Sequence, residues 1–315
     1  MNICKTLQLV SLLTCMAANS SETLKNNIVE RPVIISLQLS KTLLKEPLPL
    51  YDTGFLSSDS AVRVAGLQMA SINEFAQSLV LERSPSKPGS NSIGIGFSND
   101  ILTKGRGDWI GAHLRFEHRF APKTLIYANV QQTNKFGLDD TQVMVGGYYP
   151  LPHSINLNVE GSYSGTHRVI AKDSILVSLQ FPLSAGWFFT SGIKQSVYTQ
   201  GPSTQEFGTL EWYYKDYRTA FTLMDTQSLG ENMLGERFTF SKYYNDISFF
   251  SISLGNGREV DRSQGKKIFL NTRSIGVNGR NWFNPNWAVD WALTESQEGN
   301  AYNHTGMFLG LFHNF

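Results

Sequence analysis

From Asn91 to its end the chain alternates apolar and polar residues with a period of two. Ile155, Leu157, Val159, Gly161 and Tyr163 fall on one face; Asn156, Asn158, Glu160, Ser162 and Ser164 fall on the other. Ile110, Ala112, Leu114 and Phe116 oppose His113, Arg115, Glu117 and Arg119 in the same way. Ile175, Val177, Leu179 and Phe181 oppose Leu176, Ser178 and Gln180, and Trp287, Val289, Trp291 and Leu293 oppose Ala288, Asp290, Ala292 and Thr294. Alternation of this kind marks strands with one apolar face. It predicts strands near 91–98, 109–120, 124–133, 141–150, 154–164, 173–181, 186–198, 206–215, 218–226, 234–243, 247–255, 267–278, 286–295 and 304–315: fourteen runs, with twelve as the alternative count. Runs of about ten residues are what a tilted strand needs to cross a bilayer, and are longer than the strands of most soluble sandwiches. In the twelfth run Ile268 and Leu270 are out of phase with Ile275 and Val277, which predicts a β-bulge.

The connections sort into two kinds by composition. Those at 121–123, 150–153, 182–185, 216–217, 244–246 and 284–286 are short, while those at 99–108, 134–140, 165–172, 199–205, 227–233, 256–266 and 296–303 read as longer and polar. Strict alternation of short and long predicts periplasmic turns on one side and extracellular loops on the other. Aromatic residues gather beside the short turns: Phe120, Tyr148, Tyr149, Phe181, Trp187, Tyr214, Tyr217, Tyr243, Tyr244, Trp282, Phe283, Trp287 and Phe315. Rings of this kind favour the membrane–water boundary and predict a periplasmic girdle. The last run, Thr305–Phe315, ends on an aromatic residue, as the closing strand of an outer-membrane barrel does; a final strand of a soluble β-protein is the alternative for that run alone. The fold expected is all-β: a transmembrane antiparallel up-and-down barrel in the bacterial outer membrane.

Composition agrees. Aromatic residues make up 12% of the chain and charged residues only 17%, with 27 glycines, a mixture that favours strands and turns over helices. After the N-terminus there is no apolar run of about 18 residues that would make a spanning helix. Residues 1–18 read as a signal peptide, with Lys5 as the positive residue, Leu7–Met16 as the apolar run and Ala17-Ala18 near the cleavage point; a buried N-terminal helix is the alternative. Both cysteines, Cys4 and Cys15, lie in that segment. Residues 19–90 read as a periplasmic extension: alternation over Val33–Ser40, prolines at 47 and 49, and a helical stripe of Val64, Leu67, Met69, Ile72, Phe75 and Leu79, with a lumenal plug as the alternative. The barrel is expected over 91–315. A net charge of +1, or 0 without Lys5, gives no nucleic-acid surface.

Three segments carry a family resemblance: Phe116-Glu-His-Arg-Phe120, Tyr127-Ala-Asn-Val-Gln-Gln132 and Gly137-Leu-Asp-Asp-Thr-Gln-Val-Met-Val-Gly-Gly-Tyr-Tyr149. The chain resembles the YaiO-like outer-membrane β-barrel family, most closely over about 109–165. The resemblance implies an outer-membrane barrel, attached in some members to tetratricopeptide repeats that residues 20–90 do not show, and it brings no catalytic residues. His313 departs from the aromatic or aliphatic residue usual at that place in a closing strand.

The chemistry that the pattern places inside the barrel is ionic. Arg115, Glu117, Arg119, Glu160, Lys194, Glu211, Arg237, Arg273 and Asp290 are expected to line the lumen. They would either pair and stiffen the barrel or edge a permeation path, since fourteen strands enclose more space than eight, which side chains nearly fill. At the rim, Asp139-Asp140 with His167 and His304 would suit a hydrolase that activates water, although adjacent acids in a loop are usually solvated. His153 falls on a short turn at the other side. No catalytic, metal or cofactor site is assigned. The expected function is a channel or passive envelope-transport component; a rim hydrolase and a structural or partner-binding barrel with a blocked lumen are the alternatives. Expected partners are outer-membrane lipid and lipopolysaccharide, and the barrel-assembly machinery through the strand ending at Phe315.

Overall fold

The computed structural model describes residues 89–315, apart from 245–246 and 264–265 and the side chains of 261–263. The signal peptide and extension expected over residues 1–88, with their helix or plug, lie outside the described residues. From Asn91 the chain forms fourteen strands: β1 (Asn91–Leu102), β2 (Trp109–Ala121), β3 (Thr124–Lys135), β4 (Leu138–Pro150), β5 (Asn156–Ser164), β6 (Asp173–Pro182), β7 (Trp187–Tyr198), β8 (Gly201–Tyr214), β9 (Tyr217–Ser228), β10 (Glu231–Tyr244), β11 (Ser248–Ser263), β12 (Lys266–Trp282), β13 (Trp287–Glu298) and β14 (Tyr302–Asn314). Each pairs antiparallel with its neighbours in sequence, and β1 pairs with β14 to close a barrel.

The closing seam is continuous from Ser92↔Asn314 to Leu102↔His304. Phe315 is part of it: its N–H donates to the Asn91 carbonyl at 2.9 Å, and the Asn91 N–H returns a bond of 2.9 Å. Side chains brace the seam at both ends. Ser92 Oγ donates to Asn314 Oδ1 at 2.6 Å, and at the opposite rim the Asn303 N–H donates to Thr103 Oγ1 at 2.9 Å.

The outer surface is inverted relative to that of a soluble protein. Val145, Leu223, Leu254, Ile275 and Leu309 stand exposed, Leu309 at 63%, while the alternate positions face inward and are mostly polar or small, with buried aromatic and aliphatic residues such as Tyr127, Met144, Phe308 and Phe312 among them. The face assigned to β5 follows the alternation: Val159 and Tyr163 are exposed, and Asn158, Glu160 and Ser162 are half-buried on the inner side. An apolar band on this scale is stable only against lipid.

Two expectations about local structure are corrected. Residues 134–140, 199–205, 227–233 and 256–266 are not long loops. Strands run through their described residues, and two of them reverse in tight turns, at Phe136-Gly137 (φ 56° and 76°) and Leu229-Gly230 (φ 51° and 77°). Two positive φ values are what a two-residue hairpin turn requires. Polar residues above the apolar band remain in the ladder because the backbone bonds do not depend on which side chains they carry. At the rim opposite the chain ends, among the described residues, only 103–108 and 165–172 remain as extended connections. Nor does β12 carry a bulge: its pairing with β11 is unbroken from Phe249↔Arg280 to Ser263↔Lys266. Ile268 and Leu270 change phase because they belong to a hairpin that overhangs the end of β10, where one face no longer means lipid. The register shift in the barrel lies between β2 and β3, at Arg119/Ala121.

The aromatic girdle also divides. Phe120, Tyr149, Trp187, Tyr214, Tyr217, Phe283 and Phe315 are exposed outward, and His313 lies among them, 4.1 Å from Trp287 and 5.8 Å from Phe315 between ring centroids. Tyr148, Tyr243 and Trp282 point inward instead, as their phase in the strands dictates.

Several inward rings lie flat on the wall because glycine leaves room beneath them. A Cβ on Gly96 would meet His113 and Phe308 at 2.6 Å, one on Gly94 would meet Phe312 at 3.0 Å, and one on Gly146 would collide with the Tyr127 ring. Gly146→Val is therefore expected to cost about 1–3 kcal/mol by overpacking. Gly161→Ala, where the nearest atom is 3.9 Å away, is expected to stay within about 0.5 kcal/mol of wild type. Urea midpoints, read from loss of the fast-migrating unboiled band on gels, measure both.

Candidate functional site: the inner wall of the barrel

The inner wall has two unlike halves. Along β12, β13, β14, β1 and β2 it is packed. Arg280, 1% exposed, makes two hydrogen bonds to Asp290, Nε to Oδ1 at 2.5 Å and Nη2 to Oδ2 at 2.7 Å, and its guanidinium lies 4.4 Å from the centre of the Phe312 ring. Trp282 meets the same ring edge-on at 5.9 Å. The His113 ring stacks on Phe308 at 5.0 Å, and Arg115 pairs with Glu117 two residues along the same strand. A planar, always-charged guanidinium suits such sites because it pairs bidentately and stacks on rings at once.

Along β5 to β8 most inner residues are half-buried, small and neutral, although Ser178, Ser196, Ser203 and Glu211 are buried; on β9 and β10 Met224, Thr226, Ser228, Met233, Ser241 and Tyr243 are buried, Met224 and Met233 packing against Val260 of β11. Ser162 and Ser174 share a hydrogen bond of 2.7 Å, Thr209 and Thr222 one of 2.9 Å, and Thr239 and Ser253 one of 3.0 Å. Asn156 donates to Gln180 at 3.1 Å, Gln180 to Glu211 at 2.8 Å, and Gln205 to Thr226 at 3.2 Å. All but Gln180–Glu211, which reaches from β6 over β7 to β8, join neighbouring strands, so hydroxyls and amides form a ladder down the wall. The charges on this side are tied to it: Arg218 Nε donates to Glu211 at 2.9 Å, and Tyr127 Oη donates to Glu160 at 2.6 Å. Towards the rim that carries the chain ends, inward Tyr213, Phe188, Tyr243 and Phe249 form a collar, Tyr213 meeting Phe188 edge-on at 5.5 Å and Tyr243 lying 5.8 Å from Phe249.

The opposite rim separates the residues considered for hydrolysis. Asp139 and Asp140, being adjacent in a strand, point to opposite faces. Asp139 is exposed and accepts from Asn134 at 2.9 Å. Asp140, 1% exposed, accepts backbone N–H bonds from Arg168, Val169 and Ile170 at 2.9, 2.6 and 3.0 Å, which fastens the 165–172 connection to the wall. Its lone pairs are largely occupied by that task. His304 sits in the closing seam between Asp100 (3.3 Å) and Glu298 (3.6 Å), its ring 5.3 Å from Trp109. His153, in a short 3-10 turn at Pro152–Ser154, lies at the rim of the chain ends. Among the described residues no cluster of three acidic, histidine or cysteine side chains could hold a metal ion.

The family model of the YaiO membrane β-barrel domain matches residues 90–262, more than half of the chain. The chain belongs to this family. It is accordingly a barrel of the bacterial outer membrane, as its exposed apolar band requires. No curated protein sequence matches it. Among solved structures it is similar to the Acinetobacter baumannii outer-membrane protein Omp33 (TM-score 0.47, 10% identity, covering 73% of this chain and 100% of that one). It is also similar to the translocator domain of autotransporter NalP from Neisseria meningitidis (0.45, 11%, 77% and 93%). A third likeness is to the KdgM porin in complex with disordered oligogalacturonate (0.40, 8%, 70% and 99%). These are likenesses to other barrels and extend no further.

In this YaiO barrel Arg115, Glu117, Arg119, Glu160, Lys194, Glu211, Arg237 and Asp290 lie on inward-phase positions of their strands. Arg273 does not. It is exposed, in phase with Ile275, and stands between Asn256 and Gln297 on the outer surface. The expectation of a lumenal Arg273 assumed a break in β12 that the continuous ladder does not contain. Sequence reasoning also missed Arg280, Arg218, Asp100, Glu298 and the inward Tyr127. Arg280 was legible: it is in phase with Asn278 and is set directly opposite Asp290 in the register. Removing one member of the buried Arg280–Asp290 pair leaves a bare charge and is expected to cost about 3–5 kcal/mol, whereas replacing both by apolar residues costs far less. Urea midpoints of Arg280→Met, and of Arg280→Met combined with Asp290→Leu, test this; the double variant is expected to recover most of the loss.

Proposed function

We propose that the barrel is a narrow diffusion channel for small hydrophilic solutes, with little preference for the sign of charge. The observation that carries this reading is the half-exposed run of hydroxyls and amides on β5–β8, joined by Thr222 of β9, facing a packed wall on the other side. Neutral polar groups exchange hydrogen bonds with a passing solute without holding it by charge. Of the charges beside them, Arg218 pairs with Glu211 and Arg115 with Glu117, while Glu160, Lys194 and Arg237 share the wall, so both signs are present along it. Fourteen strands enclose more than the side chains of one packed half can fill. In the orientation usual for outer-membrane barrels, both chain ends lie at the periplasmic rim. The aromatic collar of Tyr213, Phe188, Tyr243 and Phe249 then lies towards the periplasmic end of the lumen.

The hydrolase alternative finds its residues otherwise engaged, Asp140 by three backbone N–H groups and His304 by Asp100 and Glu298. The test is conductance of purified full-length protein in planar bilayers. Stepwise insertion events with a small conductance and a near-zero reversal potential in a salt gradient are expected. Replacing the collar residue Tyr213 by Ala is expected to enlarge the steps. Protein that inserts, shown by a fast-migrating unboiled band, yet gives no steps even as Tyr213→Ala would contradict the channel and favour an occluded structural barrel.

A further inference from the structure

The arginines on the described strands are unevenly divided between the two surfaces. Arg115, Arg119, Arg218, Arg237 and Arg280 occupy inward positions. Among the described side chains, the two exposed on outward-phase positions, Arg258 and Arg273, are both in the β11–β12 hairpin, Arg258 lying just past the last β10–β11 pair and two residues before Val260, which turns onto Met224 and Met233. The register pairs Arg273 with Asn256 and Arg258 with Asn271, so the two arginines are diagonal neighbours on one face, with Cβ atoms about 7–8 Å apart. That separation lets two long side chains converge on one group.

Their height on the barrel is informative. One ladder step nearer the chain ends, the outward residues of three adjoining strands are Phe238, Leu254 and Ile275, all exposed and apolar. At the next step they are Glu236, Asn256 and Arg273, continued by Gln297 on β13, and all are polar. The edge of the apolar band therefore passes just beneath Arg273. Glu236 is the nearest carboxylate in that row, and its Oε1 accepts a bond of 3.2 Å from Asn256. The Arg258 guanidinium lies 4.9 Å from the centre of the exposed Phe269 ring, which supports it at the surface.

The geometry points to a lipid site: Arg258 and Arg273 form a clamp for the phosphate of a phosphorylated glycolipid in the outer leaflet, beside the β11–β12 hairpin. With the chain ends periplasmic, this rim of the apolar band meets the outer leaflet, where phosphate groups of that lipid lie at the boundary between acyl chains and sugar. Guanidinium groups bind phosphate through paired, charge-assisted hydrogen bonds and carry apolar stems that rest on lipid or protein surface. Exposed Leu254 and Ile275 directly below offer acyl chains a place to lie. The site is on the outside of the wall and does not depend on whether the lumen conducts.

The test uses full-length protein in mild detergent micelles, titrated with lipid A carrying its phosphates, with lipid A stripped of them, and with inorganic phosphate. Wild type is expected to bind the phosphorylated form at least tenfold more tightly than the stripped form. Arg258→Gln with Arg273→Gln is expected to lose that preference, while Lys215→Gln, in a turn at the periplasmic rim, keeps it. Unboiled migration on gels checks that the double variant is folded; if it is not, Arg273→Gln alone is expected to reduce the preference several-fold. A preference unchanged in the folded variants would overturn the assignment, and so would inorganic phosphate binding as tightly as the lipid.

Discussion

In hydrocarbon there is no water to satisfy a backbone N–H or C=O, so a sheet that crosses a membrane must close. That constraint governs this protein. It sets the ladder from β1 to β14 in strict sequence order and makes the first and last strands partners. It also brings Phe315, the last residue, into a reciprocal pair of bonds with Asn91. Because side chains alternate with a period of two, closure fixes the facing of every residue at once. The outward half becomes lipid-facing surface, and the inward half must either pack or be wetted.

The inner wall does both. On the side of the closing seam, rings lie over glycines, and the Arg280–Asp290 pair and His304 between two acids satisfy one another across strands. That side acts as a core. On the β5–β8 side most inner residues are short and half-exposed, and their hydroxyls and amides pair mainly with adjacent strands. A barrel packed on one flank leaves less free lumen than its strand number implies. The energetic logic is ordinary: aromatic and ionic side chains are stable inside when their polar atoms are partnered, and small polar side chains give up little by remaining hydrated.

Much of this was legible in the sequence, and the failures have physical causes. Alternation alone located all fourteen strands and the inward phase of Arg115, Glu160 and Asp290. Strand ends above the membrane were missed because polar residues such as those at 199–205 read as loops, although the ladder holds them regardless of side-chain polarity. Arg273 was misplaced because the apparent phase change at Ile268 and Leu270 was taken for a bulge in the wall instead of an overhanging hairpin. Tyr148 and Trp282 were assigned to the lipid boundary from their closeness to turns, when their phase had already set them inside. The role of Asp140 could not be foreseen, since its three donors arrive from residues 168–170, on the other side of β5. The resemblance seen over 109–165 falls within the family match at 90–262.

The central claim is that one flank of the lumen is wet and the other packed, inside a lipid-facing surface. Single cysteines test it in a background where Cys4 and Cys15, the two native cysteines, are replaced by serine. Thr209→Cys lies on the half-exposed inner flank, Asn278→Cys on the buried one and Val159→Cys on the outer surface. In outer membranes a water-soluble maleimide is expected to label position 209 readily and positions 278 and 159 poorly, while a lipid-soluble maleimide labels 159. Labelling of 159 by the water-soluble reagent with 209 silent would contradict the account.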